Sequence, residues 1–512
     1  MADIGLWHIA REQPQLTAIV DPDGAEVTYG ELVAAADRYG RGLQQQGLRP
    51  GDCLVMMLPN SAELLALYFA AMQSGLYIVP INWHLVGAEV AYIVGDCDAK
   101  AFIAHERFAD AAVIAAAVLP DSAKFAVGDI AGFRPLSELS AEGGPPEVRT
   151  QGAPMVYTSG TTGKPKGVKR PLTGADPYEV PLASSWFFSI FGLAPFDDHV
   201  HICGSPLYHT AVLNFVGISI QLGHTAVLME HFDAEEMLRL IERHRVTHSH
   251  VVPTQFNRLL ALPEDVRAKY DVSCLRAVIH GAAPCPNEVK RAMLDWWGPV
   301  VIEYYAATEG GGTSITATEW LSKPGSVGQA WPNSVIRVLD DDGADMPTGE
   351  PGLVYMRMGT SSFGYHNSAE KTRASRVGDM FTVGDIGYLD DDGYLYLCDR
   401  KSDLIISGGV NIYPAEIEGE LVCHRKVADV AVFGVPDPEW GEAIKAVVQP
   451  AEGVEPSDEL TAEILEFAAG RLAKFKLPRI VAYIDELPRD DNGKLYKRKL
   501  RDPDWAGHPT PI

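Results

Sequence analysis

Hydrophobic and polar positions along the first 150 residues follow two alternating periods. Tyr29 to Gly47 spaces its apolar residues at helical intervals, and Cys53 to Leu58 is an unbroken apolar run of strand length. Ser61 to Ser74 reads as a second helix and Tyr77 to Pro80 as a second strand. Such alternation predicts a parallel sheet with crossover helices. The pattern resumes later, with strands expected at Ala226 to Met229, His248 to Val252, Ala277 to His280 and Val300 to Glu303. From about Ser334 short strands and Asp-Gly turns take over, at Asp340-Asp341-Asp342-Gly343 and Asp390-Asp391-Asp392-Gly393, and these signal hairpins. Beyond Arg400 a unit of roughly 110 residues repeats the strand and helix alternation and is long enough to fold alone. The fold class is therefore α/β: a large N-terminal domain (1–400) of parallel-sheet layers plus a β-rich subdomain, and a small α+β C-terminal domain (401–512).

The most apolar pieces, Ser185 to Phe196 and Ala211 to Gly223, fall short of the ~18 residues a membrane span needs, so they read as buried helices or pocket walls. No leader-like basic stretch with an apolar core opens the chain, and no stable membrane insertion is expected. A net charge of -25 argues against nonspecific binding to nucleic acid or anionic membrane, so a polyanionic substrate must meet a local positive site. The seven cysteines stand singly without a Cys-x-x-Cys pair, which disfavours a disulfide framework or structural zinc and fits a reducing cytoplasm.

The candidate chemistry begins at Thr158-Ser159-Gly160-Thr161-Thr162-Gly163-Lys164-Pro165-Lys166-Gly167, which follows the apolar run Met155-Val156-Tyr157. Glycines let backbone N–H groups approach a phosphate, hydroxyls donate to its oxygens, and lysines bring compact positive charge. The Walker spacing is excluded, because only two residues separate Gly160 from Gly163. A flexible linker is the bland alternative, against which Pro165 stiffens the loop.

Four further stretches join this loop in a fixed order: Gly281-Ala282-Ala283-Pro284, Tyr305-Ala306-Ala307-Thr308-Glu309, Asp385 to Arg400 with Ser407-Gly408-Gly409 after it, and Asn492-Gly493-Lys494. On these residues the chain resembles the adenylate-forming superfamily, which includes acyl-CoA synthetases, peptide-synthetase adenylation domains and luciferases. The resemblance spans essentially the whole chain. It implies attack of a carboxylate on the α-phosphate of ATP to give an acyl-adenylate and pyrophosphate, then transfer of the acyl group to a thiol. Lys494 is similar to the adenylation lysine that bridges carboxylate and α-phosphate. Glu309 would hold Mg2+, and Thr308 and Thr161 would contact phosphate. Tyr305 would stack on adenine, Glu303 and the Gly281, Ala282 and Ala283 backbone would read its amino edge, and Asp385 would accept from the ribose hydroxyls. Arg400 would open a hinge through Lys401, Ser402 and Asp403, with the C-terminal domain swinging between half-reactions. Gly408 and Gly409 would flank a tunnel for the pantetheine arm, and His209 would gate it.

The chain departs from the family pattern in three places, one of them Ser402 in the expected hinge, where many relatives carry an acidic residue. Arg489-Asp490-Asp491-Asn492 puts two aspartates before the lysine, and Ala306 stands where glycine is usual.

The second substrate is read as coenzyme A, since no carrier domain follows Ile512 and a basic cluster from Lys474 through Arg479 to Arg501 would meet its phosphates. The acyl pocket is expected to be bounded by Ser205-Pro206-Leu207-Tyr208-His209, Ala211 to Gly217, Val252-Pro253-Thr254 and the floor after Glu309. Those mostly apolar residues point to a hydrophobic acid. The small run Ala306, Ala307, Gly310, Gly311 and Gly312 favours a medium or long chain or a bulky ring acid over acetate. Alternatives left open are a ligase that loads a carrier protein, a peptide-synthetase adenylation domain, a luciferase-type oxidase and a nonenzymatic nucleotide or acyl-CoA binder. The resemblance also implies a homodimer.

Overall fold

The computed structural model describes residues 4–158, 165–359, 362–489 and 493–506, and of residues 180–184 only the helical backbone. The chain divides into two compact units. The first comprises Met1–Val251, Ala261–Ile279 and Thr360–Ala374, and the second Val252–Leu260, His280–Gly359 and Ser375–Ile512.

In the first unit a six-stranded parallel sheet runs in the order Arg134–Pro135, Lys124–Val127, Ala99–His105, Cys53–Met57, Tyr77–Pro80, Ala153–Pro154. Every residue of Cys53–Met57 is buried because both faces are covered. Leu54 and Met56 enter one core with the helices Tyr29–Gln45 and Ala62–Gln73. Cys53, Val55 and Met57 enter the other, with the helix Gly87–Asp96. Local sequence sets the helix starts. Thr28 and Glu31 form a reciprocal capping box, and the Ser61 hydroxyl accepts from the Leu64 N–H. Ala62–Gln73 is buried almost all round, since its core also takes in Ile19, Leu213, Ala226 and Leu228 of a second layer. In that layer Thr17–Val20, Thr225–Leu228, Val200–Cys203 and His248–Val251 pair in parallel, edged by antiparallel Glu26–Thr28. A small antiparallel sheet joins Val156–Thr158, Lys166–Lys169 and Gly364–Tyr365.

The second unit holds the antiparallel pair Val301–Ala306 and Gly312–Ile315, and a β-rich part built on Ser334–Leu339, Gly352–Met358, Asp385–Leu389 and Leu395–Arg400. The aspartate-glycine turns act through side chains. Asp390 Oδ1 accepts from the backbone N–H groups of Asp392 (3.0 Å) and Tyr394 (2.9 Å), and joins two consecutive strands as expected. Asp340 makes the equivalent bonds, but its turn brings Leu339 against Asp345 before the chain reaches Gly352–Met358. The remaining strands are the hairpin Ile405–Ser407/Val410–Ile412, the long pair Val427–Asp437/Gly441–Pro450, and Ile480–Tyr483 parallel to the latter. Helices Pro414–Leu421 and Asp458–Ala469 bury Ile417, Leu421, Leu460 and Ile464 in the core of this sheet. Residue 400, the expected boundary of the C-terminal domain, lies inside the second unit at the end of a strand.

All seven cysteines are free thiols, and among the described residues no helix is long and apolar enough to cross a membrane.

Helix Tyr29–Gln45 packs so closely that a Cβ on Gly42 would lie 1.4 Å from the Leu139 carbonyl oxygen, whereas one on Gly95 would meet nothing within 4 Å. Gly42→Ala therefore lowers unfolding stability by about 2 kcal/mol or more through overpacking against backbone. Gly95→Ala leaves it unchanged or raises it by up to about 1 kcal/mol. Denaturant titration of the two variants checks the contrast.

Candidate active site

In the second unit Tyr305 and Arg400 meet at Asp385. The Tyr305 hydroxyl donates to Asp385 Oδ2 at 2.7 Å, and Arg400 Nε stands 3.3 Å from Oδ1. Strand pairing puts Asp385 directly opposite Arg400. Burial, with the Asp385 carboxylate added, pushes the Tyr305 phenol well above its ordinary value, so it remains a proton donor. Two occupied oxygens leave Asp385 further lone pairs for a ligand hydroxyl. Ala282 holds a left-handed backbone at φ 67°, a strained conformation of the kind that collects at ligand sites. Gly281 admits no side chain, because a Cβ would stand 2.7 Å from the Tyr304 carbonyl oxygen.

Glu303 is engaged inside the protein. Lys290 Nζ lies 2.5 Å from its Oε2, and both side chains are buried. The Lys290 ammonium also lies 4.8 Å from the Trp320 ring centroid. Burial drives the Glu303 carboxyl up and the Lys290 amine down, and their mutual attraction opposes both. Lys290 follows the buried spacing of Met293, Leu294 and Trp297 on its helix. A lysine in that apolar stripe was the signal that a buried anion must face it, and the sequence reading passed over it.

Thr308 and Glu309 occupy the turn between Val301–Ala306 and Gly312–Ile315. Gly310 and Gly311 turn the chain with φ 125° and 77°, and Ala306 pairs with Gly312. Glu309 is buried at 8% exposure. Among the described residues no group of three or more His, Cys, Asp or Glu side chains gathers as a metal cage. A single hard carboxylate fits Mg2+, which takes one or two protein carboxylates and draws its other ligands from phosphate and water.

Lys494 is half-buried and follows Gly493, whose φ is 74°. A Cβ on Gly493 would stand 2.3 Å from Thr254 Oγ1, so this loop lies against helix Pro253–Leu260 within the same unit. Arg489 supports it, forking onto Asp429 at 2.5 and 2.8 Å and donating to the Gly493 carbonyl at 2.6 Å. Asp490, Asp491 and Asn492, the departure that bears on the lysine, lie outside the described residues. Gly408 and Gly409 turn the hairpin Ile405–Ser407/Val410–Ile412 with φ 59° and 77°. The Gly408 N–H donates to the Trp440 carbonyl at 2.8 Å, and the Arg479 guanidinium lies 4.5 Å from the Trp440 ring centroid. Part of the expected basic cluster has internal partners: Lys476 pairs with Glu416, and Arg501 donates to the Ser402 carbonyl.

In the first unit Thr158 and Lys166 face each other across the hairpin that leads into the glycine-rich loop. Ser159, Gly160, Thr161, Thr162, Gly163 and Lys164 lie outside the described residues. His209 caps helix Thr210–Gln221, its ring 4.4 Å from that of Tyr208. That helix buries Val212, Leu213, Phe215 and Val216. Asn60, absent from the sequence reading, clamps the preceding loop: its amide donates to the Ser205 and Met229 carbonyls and accepts from the Leu207 N–H at 2.8 Å. A hydrogen-bonded run of histidines was also missed. Ser219 Oγ joins His201 Nδ1 (3.3 Å) to His248 Nε2 (3.1 Å), and Thr247 Oγ1 joins His248 to His199. Burial lowers His201 and His250 to about 3, so both rings are neutral at physiological pH. The alternate placement of His199 with His201, and of His248 with His250, was the available signal.

A model of the AMP-binding enzyme family matches residues 6–366, and one of the AMP-binding enzyme C-terminal domain matches 416–494. The chain is 36% identical to the long-chain-fatty-acid–CoA ligase FadD13 of Mycobacterium tuberculosis over 98% of both proteins. It is 31% identical to the fatty acid–[acyl-carrier-protein] ligase ScoC of Streptomyces coeruleorubidus, over 97% of this chain and 95% of that protein. Among solved structures, o-succinylbenzoate CoA synthetase from Bacillus subtilis, in complex with its acyl-adenylate intermediate, superposes with a TM-score of 0.81 at 28% identity over 97% of each chain.

Removing one member of the buried ion pair strands the other. Lys290→Met is expected to cost about 3–5 kcal/mol of stability, and the double change Lys290→Met/Glu303→Gln to recover most of it. Urea unfolding of the three proteins measures the coupling.

With this geometry and these matches together, the chain belongs to the AMP-binding enzyme family and is an adenylate-forming ligase of the acyl-CoA synthetase type.

Proposed function

We propose that the protein activates a hydrophobic carboxylic acid, a medium- or long-chain fatty acid or a bulky ring acid, with ATP and transfers the acyl group to coenzyme A. In the first half-reaction a carboxylate oxygen bonds to the α-phosphorus while the bond to pyrophosphate breaks. In the second, the thiol sulfur attacks the acyl carbon and AMP leaves. The observation that carries this reading is the seating of the Gly493–Lys494 loop against Thr254, in the unit that also holds Tyr305, Asp385 and Arg400. An ammonium delivered there supplies fixed positive charge where the transition state gathers negative charge, and catalysis of phosphoryl chemistry is largely such positioning and stabilisation.

Tyr305 and Asp385 orient the nucleoside, Thr158 and Lys166 open the phosphate loop, and Thr308 contacts phosphate. Mg2+ held by Glu309 would neutralise charge on the phosphate oxygens. Residues 401–512 form the moving lobe, and the hairpin turn at Gly408 and Gly409 receives the thiol arm between half-reactions. Arg479 and Trp440 offer a cation and an aromatic face to the coenzyme's phosphates and base. His209 is placed at the acyl side, at the start of the apolar helix Thr210–Gln221. Seven free thiols suit a reducing cytoplasm.

The relationship to the carrier-protein ligase supports a second reading, in which the acyl group passes to a carrier thiol.

Lys494→Ala is expected to lower pyrophosphate–ATP exchange by about 10²-fold or more, while thioester formation from supplied acyl-adenylate persists. Undiminished exchange in this variant would remove Lys494 from the adenylation step. Wild-type enzyme incubated with ATP, Mg2+, coenzyme A and a panel running from acetate to hexadecanoate and cinnamate should release AMP and thioester with the longer or ring acids. Adenylate accumulating without thioester would point to the carrier-protein reading.

A further inference from the structure

Two of the seven thiols stand side by side where the parallel sheet of the first unit begins. Cys53 opens the strand Cys53–Met57 and pairs with Tyr77 on one side and Ala99 on the other. The pairing with Ala99–His105 shifts by one residue between Cys53 and Leu54, so the ladder is irregular at this point. Cys97 caps the helix Gly87–Asp96, and Asp98, with a left-handed φ of 50°, turns the chain directly into Ala99. Cys97 therefore lies two positions from the residue paired with Cys53, and its S–H donates to the Cys53 sulfur. Neighbouring strands run about 4.8 Å apart, which brings adjoining segments within the Cα separation a disulfide spans, about 4.4–6.8 Å.

The turn that carries Cys97 is pinned. Asp96, the last residue of the helix, accepts from the Tyr157 hydroxyl at Oδ2 (2.6 Å), and its carbonyl accepts from the Asn367 amide (2.9 Å). The Cys97 N–H donates to the Ile93 carbonyl at 3.0 Å, and its thiol lies 3.6 Å from the Val94 carbonyl oxygen. Both cysteines share one apolar core with Val55, Val90 and Val94. Neither side chain is free to swing away from the other.

Their surroundings differ in charge. The Lys169 ammonium lies 4.5 Å from the ring centroid of Tyr77, the strand neighbour of Cys53. Cys97 is flanked in sequence by Asp96 and Asp98, and its proton is engaged by sulfur and carbonyl acceptors. The hydrogen bond from Cys97 draws the Cys53 thiol below its ordinary value; burial opposes this, Lys169 adds to it, and Asp52 and Asp98 oppose it. The same bond, with burial, holds Cys97 well above its own. Burial raises the thiols of Cys203, Cys274, Cys285, Cys398 and Cys423. The thiolate is the reactive form, so geometry and charge single out Cys53.

We propose that Cys53 and Cys97 are a modification site for hydroperoxides, with Cys53 the attacking sulfur and Cys97 the resolving one, which oxidation joins into an intramolecular disulfide. The Cys53 thiolate attacks a peroxide oxygen: an S–O bond forms, the O–O bond breaks, and the departing oxygen takes up the proton given by the Cys53 thiol and leaves as water or an alcohol. The Cys97 sulfur then attacks the sulfenic sulfur of Cys53. The S–S bond forms as the S–O bond breaks, and hydroxide leaves with the Cys97 proton as water. Two thiols are oxidised and one peroxide is reduced.

Exposure alone predicts a different order of reaction, because Cys274, Cys285, Cys398 and Cys423 are half-buried while Cys53 and Cys97 are only 4% and 3% exposed. The full chain is reduced, treated with a small excess of hydrogen peroxide, quenched with catalase and denatured in N-ethylmaleimide. It should then alkylate at five of its seven cysteines, with Cys53 and Cys97 recovered as one linked peptide that dithiothreitol separates. The pair should close before any of the four half-buried cysteines loses alkylation. In Cys97→Ser, dimedone should trap a sulfenic acid at Cys53, and in Cys53→Ser no adduct should form at Cys97. Seven alkylated thiols after peroxide, linkage among other cysteines, or earlier oxidation of the half-buried four would overturn the site. An adduct at Cys97 in Cys53→Ser would overturn the order of attack. The wild-type peptide map decides the site even if a variant does not fold.

Discussion

Asp385 supplies the contact on which the second unit's functional parts depend. Its carboxyl takes the Tyr305 hydroxyl from one sheet and faces Arg400 across a strand pair in another. Arg400 is also the residue at which the proposed hinge opens, so one buried anion joins the proposed nucleoside surface to the start of the C-terminal segment. A nearly buried carboxylate (8% exposed) is costly unless donors surround it. The tyrosine and arginine meet that need now, and ribose hydroxyls would add to it. The group proposed to bind the nucleoside thus stands opposite the residue proposed to open the hinge.

Charge placement follows the same logic elsewhere. A chain of net charge -25 that handles polyphosphate must gather cations locally while keeping its own carboxylates occupied. Lys290 occupies Glu303, the Arg489 fork occupies Asp429, and Lys497 occupies Glu418. In each case the cation satisfies a carboxylate inside the protein. Glu303 shows the consequence for interpretation. The family resemblance suggested an adenine contact, and the local structure adds a buried ammonium that shapes how any such contact would be made.

Legibility in the sequence tracked how local each determinant was. The helices beginning at Thr28 and Ser61 were readable because capping residues and apolar spacing lie within a few positions of one another. The strand at Cys53 was readable because burial on two faces leaves an unbroken apolar run. The Asp390 turn carries its own hydrogen-bond acceptor. The strand expected at Val300 to Glu303 in fact continues to Ala306, since its antiparallel partner Gly312–Ile315 extends the pairing past the point where apolar residues stop. Long-range partners were not readable. Asn60 meets Ser205 across 145 positions, and the histidines share a seam only because two separate strands lie side by side. Those placements depend on tertiary pairing, which no local window contains.

Two glycines show how the lobe divides its labour. Gly493 and Gly408 both hold left-handed backbone, and at both a side chain would strike a neighbour, Thr254 in one case and the Trp440 ring in the other. The first is packed against a helix outside the lobe and the second against a tryptophan inside it. The proposed rotation would break the Thr254 contact and leave the Gly408–Trp440 contact intact. On the proposed reading the turn at Gly408 would be preformed and the loop at Gly493 assembled on docking. Asp399, accepting from the Ala415 N–H at 2.7 Å, adds a second contact across the proposed hinge.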